Sequence, residues 1–397
     1  MSSSGNSEST QYRLPDLLRN WPWTRHLSPH YARAKKESSA WVASFRPFKS
    51  KGQKAFDACD LNFVRAGCDL MNFYFVYDEY TDIADASVAN ELATIVIENM
   101  TEDSLDQDVP SSSSTHILGQ MTRQFWKRAS TLAKPGSPCF AHFIATSERY
   151  LRAVSLEAED RAMHRVRSFD DYFILRRDTC GARPTLALIE FGLDLPEEVT
   201  SDPVIQALTQ DAVDLIILVN DMHSYIREIS CGLADHNVLT PIMRDYNLDL
   251  QSALNWMDTY TSRVIERFLS NQARMPSWGP DIDARVRMYI DGLGQWVRGN
   301  DDWSCEGKRY HGSDGLVIRD TRMVTICPRK ANYIQEDEST DMGATTAPGS
   351  KSKKLGGTSS RTKLDRIRME IQSWWYINLV QGLLFKNMAR KFLAWKI

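Results

Sequence analysis

Apolar residues recur at intervals of three and four positions through most of the chain, from Tyr12 to about residue 330. The spacing is clearest in three segments: NFVRAGCDLMNFYFVYDEYTD (62–82), VIQALTQDAVDLIILVNDMHSYIREI (204–229) and LNWMDTYTSRVIERFL (254–269). This period predicts α-helices that bury one face, whereas strand-like alternation is nearly absent outside GLVIRDTRMVTICP (315–328). The sequence therefore predicts an all-α domain of about ten helices over residues 12–330.

Composition narrows the class of protein. The chain has 397 residues, 42% of them hydrophobic, which is enough for one large domain or two ordinary ones. Its net charge is −3 with acids and bases interspersed, so nothing indicates nucleic-acid binding. Seven cysteines form no CxxC pair, the N-terminus has no apolar signal segment, and no apolar run is long enough to cross a membrane. These features predict a soluble, reduced, cytoplasmic protein.

The two ends of the chain differ from its middle. Residues 1–11 are polar and predicted to be disordered, and residues 331–361 are predicted to form a flexible linker because they are rich in Gly, Ser, Thr and Lys. Residues 362–397 are basic and aromatic, and they could form an amphipathic helix. The segment could pack on the core as a helix or have no selected structure, and contact with a membrane surface through Trp374 and Trp375 is a third interpretation.

Local signals predict several helix ends within the domain. Ser168 followed by Asp171 is typical of a capping box that opens a helix. Gly181 and Pro184 are predicted to break that helix. The segment DQDVPSSSSTH (106–116) is predicted to be a loop between helices because Ser, Asp and Pro dominate it.

Two carboxylates lie one helical turn apart in FYFVYDEYTDIAD (73–85). Asp78 and Asp82 would repel each other on a helix unless a cation joined them. Oxygen ligands suit Mg²⁺, whose coordination is often completed by water and substrate phosphates. A solvent-exposed helix face also carries such pairs, so this pattern alone leaves both interpretations open.

A second polar column follows the apolar run LIILV (215–219). Asn220, Ser224 and Glu228 recur every fourth residue, so on a helix they would stack on one face. That face is predicted to be buried upstream, and buried polar groups are costly without partners. Amide, hydroxyl and carboxylate oxygens together fit one Mg²⁺, and Arg227 could reach an anion held by that metal. A structural role for this column is the alternative.

Two basic clusters could bind such an anion. LRRDTCGARP (175–184) places Arg176 and Arg177 shortly before Gly181, where freed backbone groups could face a cavity. WSCEGKRYHG (303–312) places Arg309 beside Tyr310. Either cluster alone is compatible with ordinary surface arginines, and only the combination with the two polar columns predicts an anion site.

Taken together, these motifs resemble those of class I terpene cyclases, specifically the sesquiterpene synthases of mushroom-forming fungi. DEYTD (78–82) resembles their aspartate-rich metal motif, and NDMHSYIRE (220–228) resembles their N-D-x-x-S-x-x-x-E triad. RRDTCG (176–181) is similar to the diphosphate-sensor segment, with Arg177 at the sensor position and Gly181 at the carbonyl-presenting position. Arg309 and Tyr310 match a further motif, and the likeness covers about residues 12–328. DEYTD after CDLMNF is most similar to Δ6-protoilludene synthases.

The resemblance implies a single-domain helical bundle around a central active-site cavity. It implies a cyclase, a monomer or homodimer, that converts farnesyl diphosphate to a cyclic sesquiterpene, such as Δ6-protoilludene formed by 1,11-closure. It implies three Mg²⁺ ions held by Asp78, Asp82, Asn220, Ser224 and Glu228. It also implies diphosphate contacts from Arg177, Arg227, Arg309 and Tyr310, and cavity walls that include Phe75, Gly181 and the residues one turn before each column.

Two departures from the family pattern keep alternatives open. Family members usually carry an extra stretch of helix between the segments that correspond to FDACDLN (56–62) and FVRAGCDLMNF (63–73). That stretch is absent here, which could remove packing beneath the first metal helix. The segment after residue 330 is also unlike the usual family ending. A catalytically impaired relative acting as a non-enzymatic helical protein is one alternative. A trans-prenyltransferase is the other, although it would need a second aspartate-rich motif.

Overall fold

A computed structural model describes residues 10–26, 28–45, 65–82, 84–100 and 116–326. Several predictions concern residues outside these ranges. They are the disorder of the first nine residues, the 106–115 loop, the short stretch near residue 62, the linker and the C-terminal amphipathic helix.

The described residues contain thirteen α-helices and one pair of short strands. The helices are α1 (Tyr31–Phe45), α2 (Arg65–Thr81), α3 (Ala86–Glu98), α4 (Ile117–Ala129), α5 (Pro138–Ala162), α6 (Phe169–Thr179), α7 (Ala182–Ala187), α8 (Glu197–Thr200), α9 (Pro203–Cys231), α10 (Leu239–Asp245), α11 (Leu250–Ala273), α12 (Pro280–Glu306) and α13 (Gly315–Thr321). The predicted all-α class is confirmed. Among the described helices, none combines the length and apolar character needed to cross a membrane.

The strands join the two ends of the described chain. β1 (Thr10–Arg13) pairs antiparallel with β2 (Met323–Ile326), with Thr10 opposite Ile326. The predicted disorder of residues 10 and 11 is therefore wrong, because pairing with β2 satisfies their backbone groups. The strand predicted over 315–328 is confirmed only for Met323–Ile326, since the preceding residues form α13. Arg322 has a φ of 58° and turns the chain from that helix into β2.

The core consists of two hydrophobic clusters, and α9 forms the centre of one of them. Every residue from Val213 to Val219 is at most 9% exposed, so this part of α9 is buried on all sides. A helix that is apolar all round must be surrounded by other elements. Three polar side chains that follow this segment on α9, Asp221, His223 and Ser224, are buried as well.

Residues 14–26, which we call the N-terminal strap, lie against α12. Trp21 donates its indole N–H to the carbonyl oxygen of Gly294 at 3.0 Å, and Trp23 donates to Asp291 at 2.7 Å. The Trp23 ring lies so close to α12 that a Cβ added at Gly294 would sit 2.1 Å from it. The strap therefore fixes the position of α12.

The predicted helix break near residue 181 is confirmed in part. Ser168 caps α6 by accepting the backbone N–H of Asp171 at 3.2 Å. Gly181 has a φ of 68° and separates α6 from α7, a conformation that favours glycine. Pro184 does not end a helix; it lies in the first turn of α7, where a missing N–H costs no helical hydrogen bond.

Candidate active site

A cavity of about 180 Å³ lies among α2, α5, α6, α7, α9 and α12. Charged and hydrogen-bonding residues form one part of its wall: Asp78, Asp82, Glu157, Arg161, Arg176, Asn220, Arg227, Glu228, His236, Arg309 and Tyr310. Largely apolar or aromatic residues form another part, among them Met71, Tyr74, Phe75, Tyr150, Gly181, Ile216, Trp296 and Trp303. Along both α2 and α9 the apolar lining residues come first and the polar ones follow, so the cavity has an apolar end and a polar end. Phe75 and Gly181 line it, and so do Tyr74 and Ile216, the residues one turn before each column.

The first polar column lies at the C-terminal end of α2. Asp78 accepts a hydrogen bond from the guanidinium of Arg309 at 3.0 Å. Burial, together with the neighbouring Asp78 and Glu79, raises the pKa of Asp82 well above its usual range. The predicted repulsion between the two carboxylates is therefore present, and this wall of the cavity favours a bound cation.

The second polar column begins with Asn220 on α9. Its carbonyl oxygen accepts a hydrogen bond from Arg176 at 2.9 Å, and its amide donates to the hydroxyl of Tyr310 at 2.8 Å. Arg176 also donates to the carboxylate of Asp221 at 2.9 Å. These contacts fix the orientation of the Asn220 amide, with its oxygen toward Arg176 and its N–H toward Tyr310.

Ser224 and Glu228 continue this column and share one partner. The amide of Asn237, which follows α9, donates to Ser224 at 3.3 Å and to Glu228 at 2.9 Å. Burial and the nearby Asp221 raise the pKa of Glu228 to about 7. Ser224 is 2% exposed and is not among the lining residues, so the structure brings Glu228 but not Ser224 to the cavity wall.

The dipeptide Arg309–Tyr310 joins the two columns. Arg309 contacts Asp78 on α2, and Tyr310 contacts Asn220 on α9, at the distances given above. The guanidinium carbon of Arg309 also lies 4.8 Å from the centre of the Phe75 ring. Both columns therefore face one cavity rather than separate outer surfaces.

Arg176 and Arg177 occupy different environments. Arg176 lines the cavity, whereas Arg177 is absent from its lining and forms a bidentate ion pair with Asp214 at 2.8 and 2.9 Å. Asp214 is fully buried on α9, and it holds Arg177 away from the cavity. The structure therefore brings Arg176, and not Arg177, to the cavity wall.

Several lining residues were missed by the sequence reasoning. Glu157 and Arg161 are four residues apart on α5, a spacing that could have indicated them. Burial raises the pKa of Glu157, but His236 and the nearby arginines lower it further, so the net shift is downward. His236, which also lines the cavity, and Asn237, which donates to Glu228, lie in a connecting segment and offer no periodic signal.

The donor set fits a hard divalent cation. In the described residues, no three His, Cys, Asp or Glu side chains converge closely enough to hold a metal alone. Asn, Ser and ligand oxygens would therefore complete the coordination, as is usual for Mg²⁺ sites. Burial, followed by neighbouring carboxylates, raises the pKa values of Asp82 and Glu228, and a metal ion bound beside them would favour their ionised forms.

Comparison with known proteins decides the family. The model of "Terpene synthase family 2, C-terminal metal binding" matches residues 69–267. The chain belongs to the terpene synthase family. The family implies a prenyl diphosphate substrate, and the matched model implies a divalent metal.

This terpene synthase has close relatives among fungal enzymes. It is 60% identical to the sesquiterpene synthase Agr8 of Cyclocybe aegerita over 335 residues, which cover 82% of this chain and 94% of that one. It is 41% identical to a Delta(6)-protoilludene synthase of Hypholoma sublateritium over 324 residues, which cover 82% of this chain and 97% of the relative.

A solved structure supports the fold. The crystal structure of linalool/nerolidol synthase from Streptomyces clavuligerus superposes with a TM-score of 0.61, covering 72% of this chain and 98% of that chain. The two sequences are 18% identical, so this likeness concerns the fold alone.

Proposed function

We propose that this terpene synthase ionises farnesyl diphosphate and cyclises it to a sesquiterpene hydrocarbon, with release of diphosphate. One observation carries the proposal: two oxygen-bearing columns and the Arg309–Tyr310 dipeptide meet at the polar end of a cavity whose remaining wall is largely aromatic and apolar. A polar end that binds diphosphate and an aromatic end that encloses a hydrocarbon chain match the two parts of this substrate. The relatives named as sesquiterpene synthases support the chain length.

Mg²⁺ is the proposed metal, held by Asp78 and Asp82 on one wall and by Asn220 and Glu228 on the other. The resemblance adds Ser224 to the second set, although Ser224 is not among the residues that line the cavity. When bound, it would supply electrostatic stabilisation for the charge that develops on the leaving group. The resemblance implies three ions. A titration of Mg²⁺ in the presence of inorganic pyrophosphate, followed by calorimetry, measures that number.

The chain's own residues bind the diphosphate and assist its departure. Arg176, Arg227 and Arg309 line the polar end, and guanidinium groups bind phosphate oxygens through paired hydrogen bonds. The hydroxyl of Tyr310 can donate a further bond. The carbon–oxygen bond breaks with its electron pair on the diphosphate, so these donors act where negative charge increases. We assign to Arg176 the role that the resemblance gives to Arg177.

The aromatic end of the cavity protects the resulting carbocation. Phe75 stacks on Trp303 with ring centres 5.4 Å apart, and Trp303 contacts Tyr310 edge-on at 5.6 Å. Tyr74 and Tyr150 pack together at 4.7 Å beside Gly181. Such ring faces stabilise a cation and exclude water, which would otherwise convert it to an alcohol.

The test is incubation of the purified chain with farnesyl diphosphate and Mg²⁺, with and without a chelator. We expect a cyclic hydrocarbon and free pyrophosphate only in the presence of the metal. Asn220→Ala combined with Glu228→Ala should abolish turnover while the helical circular dichroism spectrum is retained. Unchanged turnover in this double variant would reject the assignment.

The relative from Hypholoma sublateritium supports Δ6-protoilludene as the product. This product requires closure between carbons 1 and 11 of the farnesyl chain. Gas chromatography with mass spectrometry identifies the hydrocarbon directly, and a skeleton built by 1,10-closure would contradict this choice without affecting the general function.

A further inference from the structure

A row of polar side chains lies behind the Arg309–Tyr310 dipeptide and has no role in the proposed function. Asp301 on α12 is 8% exposed, and His223 on α9 is 1% exposed. One ring nitrogen of His223, Nε2, lies 3.0 Å from Asp301, and the other, Nδ1, lies 2.9 Å from Nε2 of His311. His311 directly follows Tyr310. We call Asp301, His223 and His311 the relay.

The chemistry of the three side chains determines which atom donates and which accepts in each hydrogen bond of the relay. A carboxylate accepts hydrogen bonds, so His223 carries a hydrogen on Nε2 and donates it to Asp301. With that tautomer, Nδ1 of His223 accepts the hydrogen that Nε2 of His311 donates. Every contact in the row is thereby satisfied, and removing one member would leave a buried polar atom without a partner, which is costly.

The relay is anchored to the scaffold at its far end. Arg298 lies 3.4 Å from Asp301, a long contact, and it donates to the carbonyl oxygens of Leu18 and Trp23 at 2.9 Å each. The row therefore runs from the N-terminal strap through α12 and α9 to the residue beside Tyr310.

The dipeptide also has contacts inside the cavity, but these involve groups that ligands would use. Arg309 contacts Asp78, and Tyr310 contacts Asn220, both of which are candidate metal ligands. The relay uses none of these groups, so metal and diphosphate do not compete with it. The relay can therefore hold the turn at residues 307–311 in place while Arg309 and Tyr310 exchange their protein partners for a ligand.

We propose that Asp301, His223 and His311 are positioning residues that hold Arg309 and Tyr310 over the cavity. The inference rests on the proposed function in so far as Arg309 and Tyr310 bind diphosphate. Misplacement of a binding group by about 1 Å can lower a rate by about a hundredfold, so loss of the relay should weaken both diphosphate binding and turnover.

The test compares two substitutions of His311. The amide of Gln ends near the position of Nε2 and can still donate to His223, whereas Leu cannot donate. We expect His311→Leu to raise the Kd for Mg²⁺-loaded inorganic pyrophosphate about tenfold and to lower kcat/KM about tenfold. In His311→Gln, both quantities should lie within about threefold of their wild-type values. Tryptophan fluorescence follows binding, because Trp303 contacts Tyr310. His30→Leu, at an exposed histidine, serves as the matched control.

A double-mutant cycle separates positioning from general stabilisation. In a Tyr310→Phe, Arg309→Gln background, His311→Leu should cause little further loss, because the residues that it positions are gone. A loss that is the same in both backgrounds would overturn the proposal, as would a Kd for His311→Leu equal to that of the wild-type chain. His311→Asn, whose shorter amide stops short of His223, gives the same comparison should the leucine variant fail to fold.

The two proposals fail in different ways. A wild-type chain that binds Mg²⁺ and pyrophosphate but does not consume farnesyl diphosphate would refute the proposed function, and the relay would still be judged on pyrophosphate affinity. An active wild-type chain with an unaffected His311→Leu variant would refute the relay alone. A wild-type chain that does not bind pyrophosphate would overturn both.

Discussion

Arg176 and Arg177 show how much a single position on a helix matters. Consecutive residues on an α-helix point about 100° apart, so their side chains can find different partners. The choice is made by carboxylates on α9: Asp221 holds Arg176 beside Asn220, and Asp214 holds Arg177 elsewhere. The local sequence could not show this, because the partners lie on a different helix.

The first prediction separates these two arginines. Arg176→Gln should lower kcat/KM by about a hundredfold, since it removes a charge from the polar end of the cavity. Arg177→Gln should leave kcat/KM within a few-fold of wild type but cost about 1–3 kcal/mol of stability, because buried Asp214 loses its bidentate partner. Steady-state kinetics and urea unfolding of both variants check this. A large loss of kcat/KM in Arg177→Gln, with little loss in Arg176→Gln, would show that Arg177 binds the diphosphate.

The second prediction concerns the pH dependence of metal binding at Glu228. A proton competes with the metal for this carboxylate, whose pKa is raised to about 7 mainly by burial. The affinity for Mg²⁺ should therefore fall as the pH decreases through about 7. The rise in Tm with added Mg²⁺, measured without substrate at several pH values, gives the affinity.

Glu228→Gln is the control for this prediction, and it should remove the part of the pH dependence that Glu228 contributes, while the raised pKa of Asp82 leaves a remainder. For the metal-free protein, the free energy of unfolding should change with pH in the opposite direction. Because the folded-state pKa of Glu228 lies above its usual value of 4.5, the metal-free fold gains stability as the pH falls through about 7. Metal affinity that does not change with pH in the wild-type chain would show that Glu228 is not a ligand.

At the scale of single elements, α9 was the part best predicted from the sequence. The change from the apolar run 215–219 to the column of Asn220, Ser224 and Glu228 indicated a buried helix whose end faces a site. Burial of that run and the contacts of Asn220 agree with this. The segment that follows α9 was not predicted, because Asn237 acts through its position in space and not through any period.

The third prediction concerns a link between α5 and the segment that leads to α8. His142 contacts Glu190 at 3.0 Å and Glu197 at 3.0 Å, and these carboxylates, chiefly Glu190, raise the pKa of His142 to about 9. The stabilisation should be fully present below the usual histidine pKa of about 6.5 and be lost as the pH rises through about 9. His142→Gln should thus cost about 1 kcal/mol near pH 6, a value discounted for partial exposure, and much less near pH 10.

Urea midpoints at several pH values measure this difference. His26→Gln, at an exposed histidine of the strap, is the matched control and should change stability little at any pH. A cost for His142→Gln that is equal across the pH range would show that the charge of the imidazole does not matter to the link.

At the scale of the whole molecule, the sequence predicted the helices but not how the ends of the domain meet. The pairing of Thr10–Arg13 with Met323–Ile326 joins segments about three hundred residues apart, and short-range periodicity carries no information on such contacts. The same holds for the relay, whose members come from α9, α12 and the turn after it. Periodicity identified the two columns, whereas the contacts that join them depend on the tertiary fold.

The fourth prediction tests whether the N-terminal strap is fixed by its packing on α12. Gly294→Ala would place a methyl group 2.1 Å from the Trp23 ring, so the strap must shift. We expect a loss of about 1–3 kcal/mol from overpacking, partly offset by the better helix propensity of Ala. We also expect faster tryptic cleavage after Arg19 and Arg25, whose side chains are each 44% exposed.

Gly292→Ala on the same helix is the control for the strap. Its new methyl group would meet the Cγ2 methyl of Ile189 at 2.8 Å, a milder clash than the one at 2.1 Å with the Trp23 ring. It should therefore cost less stability and leave the cleavage rate of the strap unchanged. Because Arg298 ties the strap to Asp301, a displaced strap should also weaken pyrophosphate binding in Gly294→Ala. Equal cleavage rates in the two variants would show that the strap is held by contacts other than the one between Trp23 and Gly294.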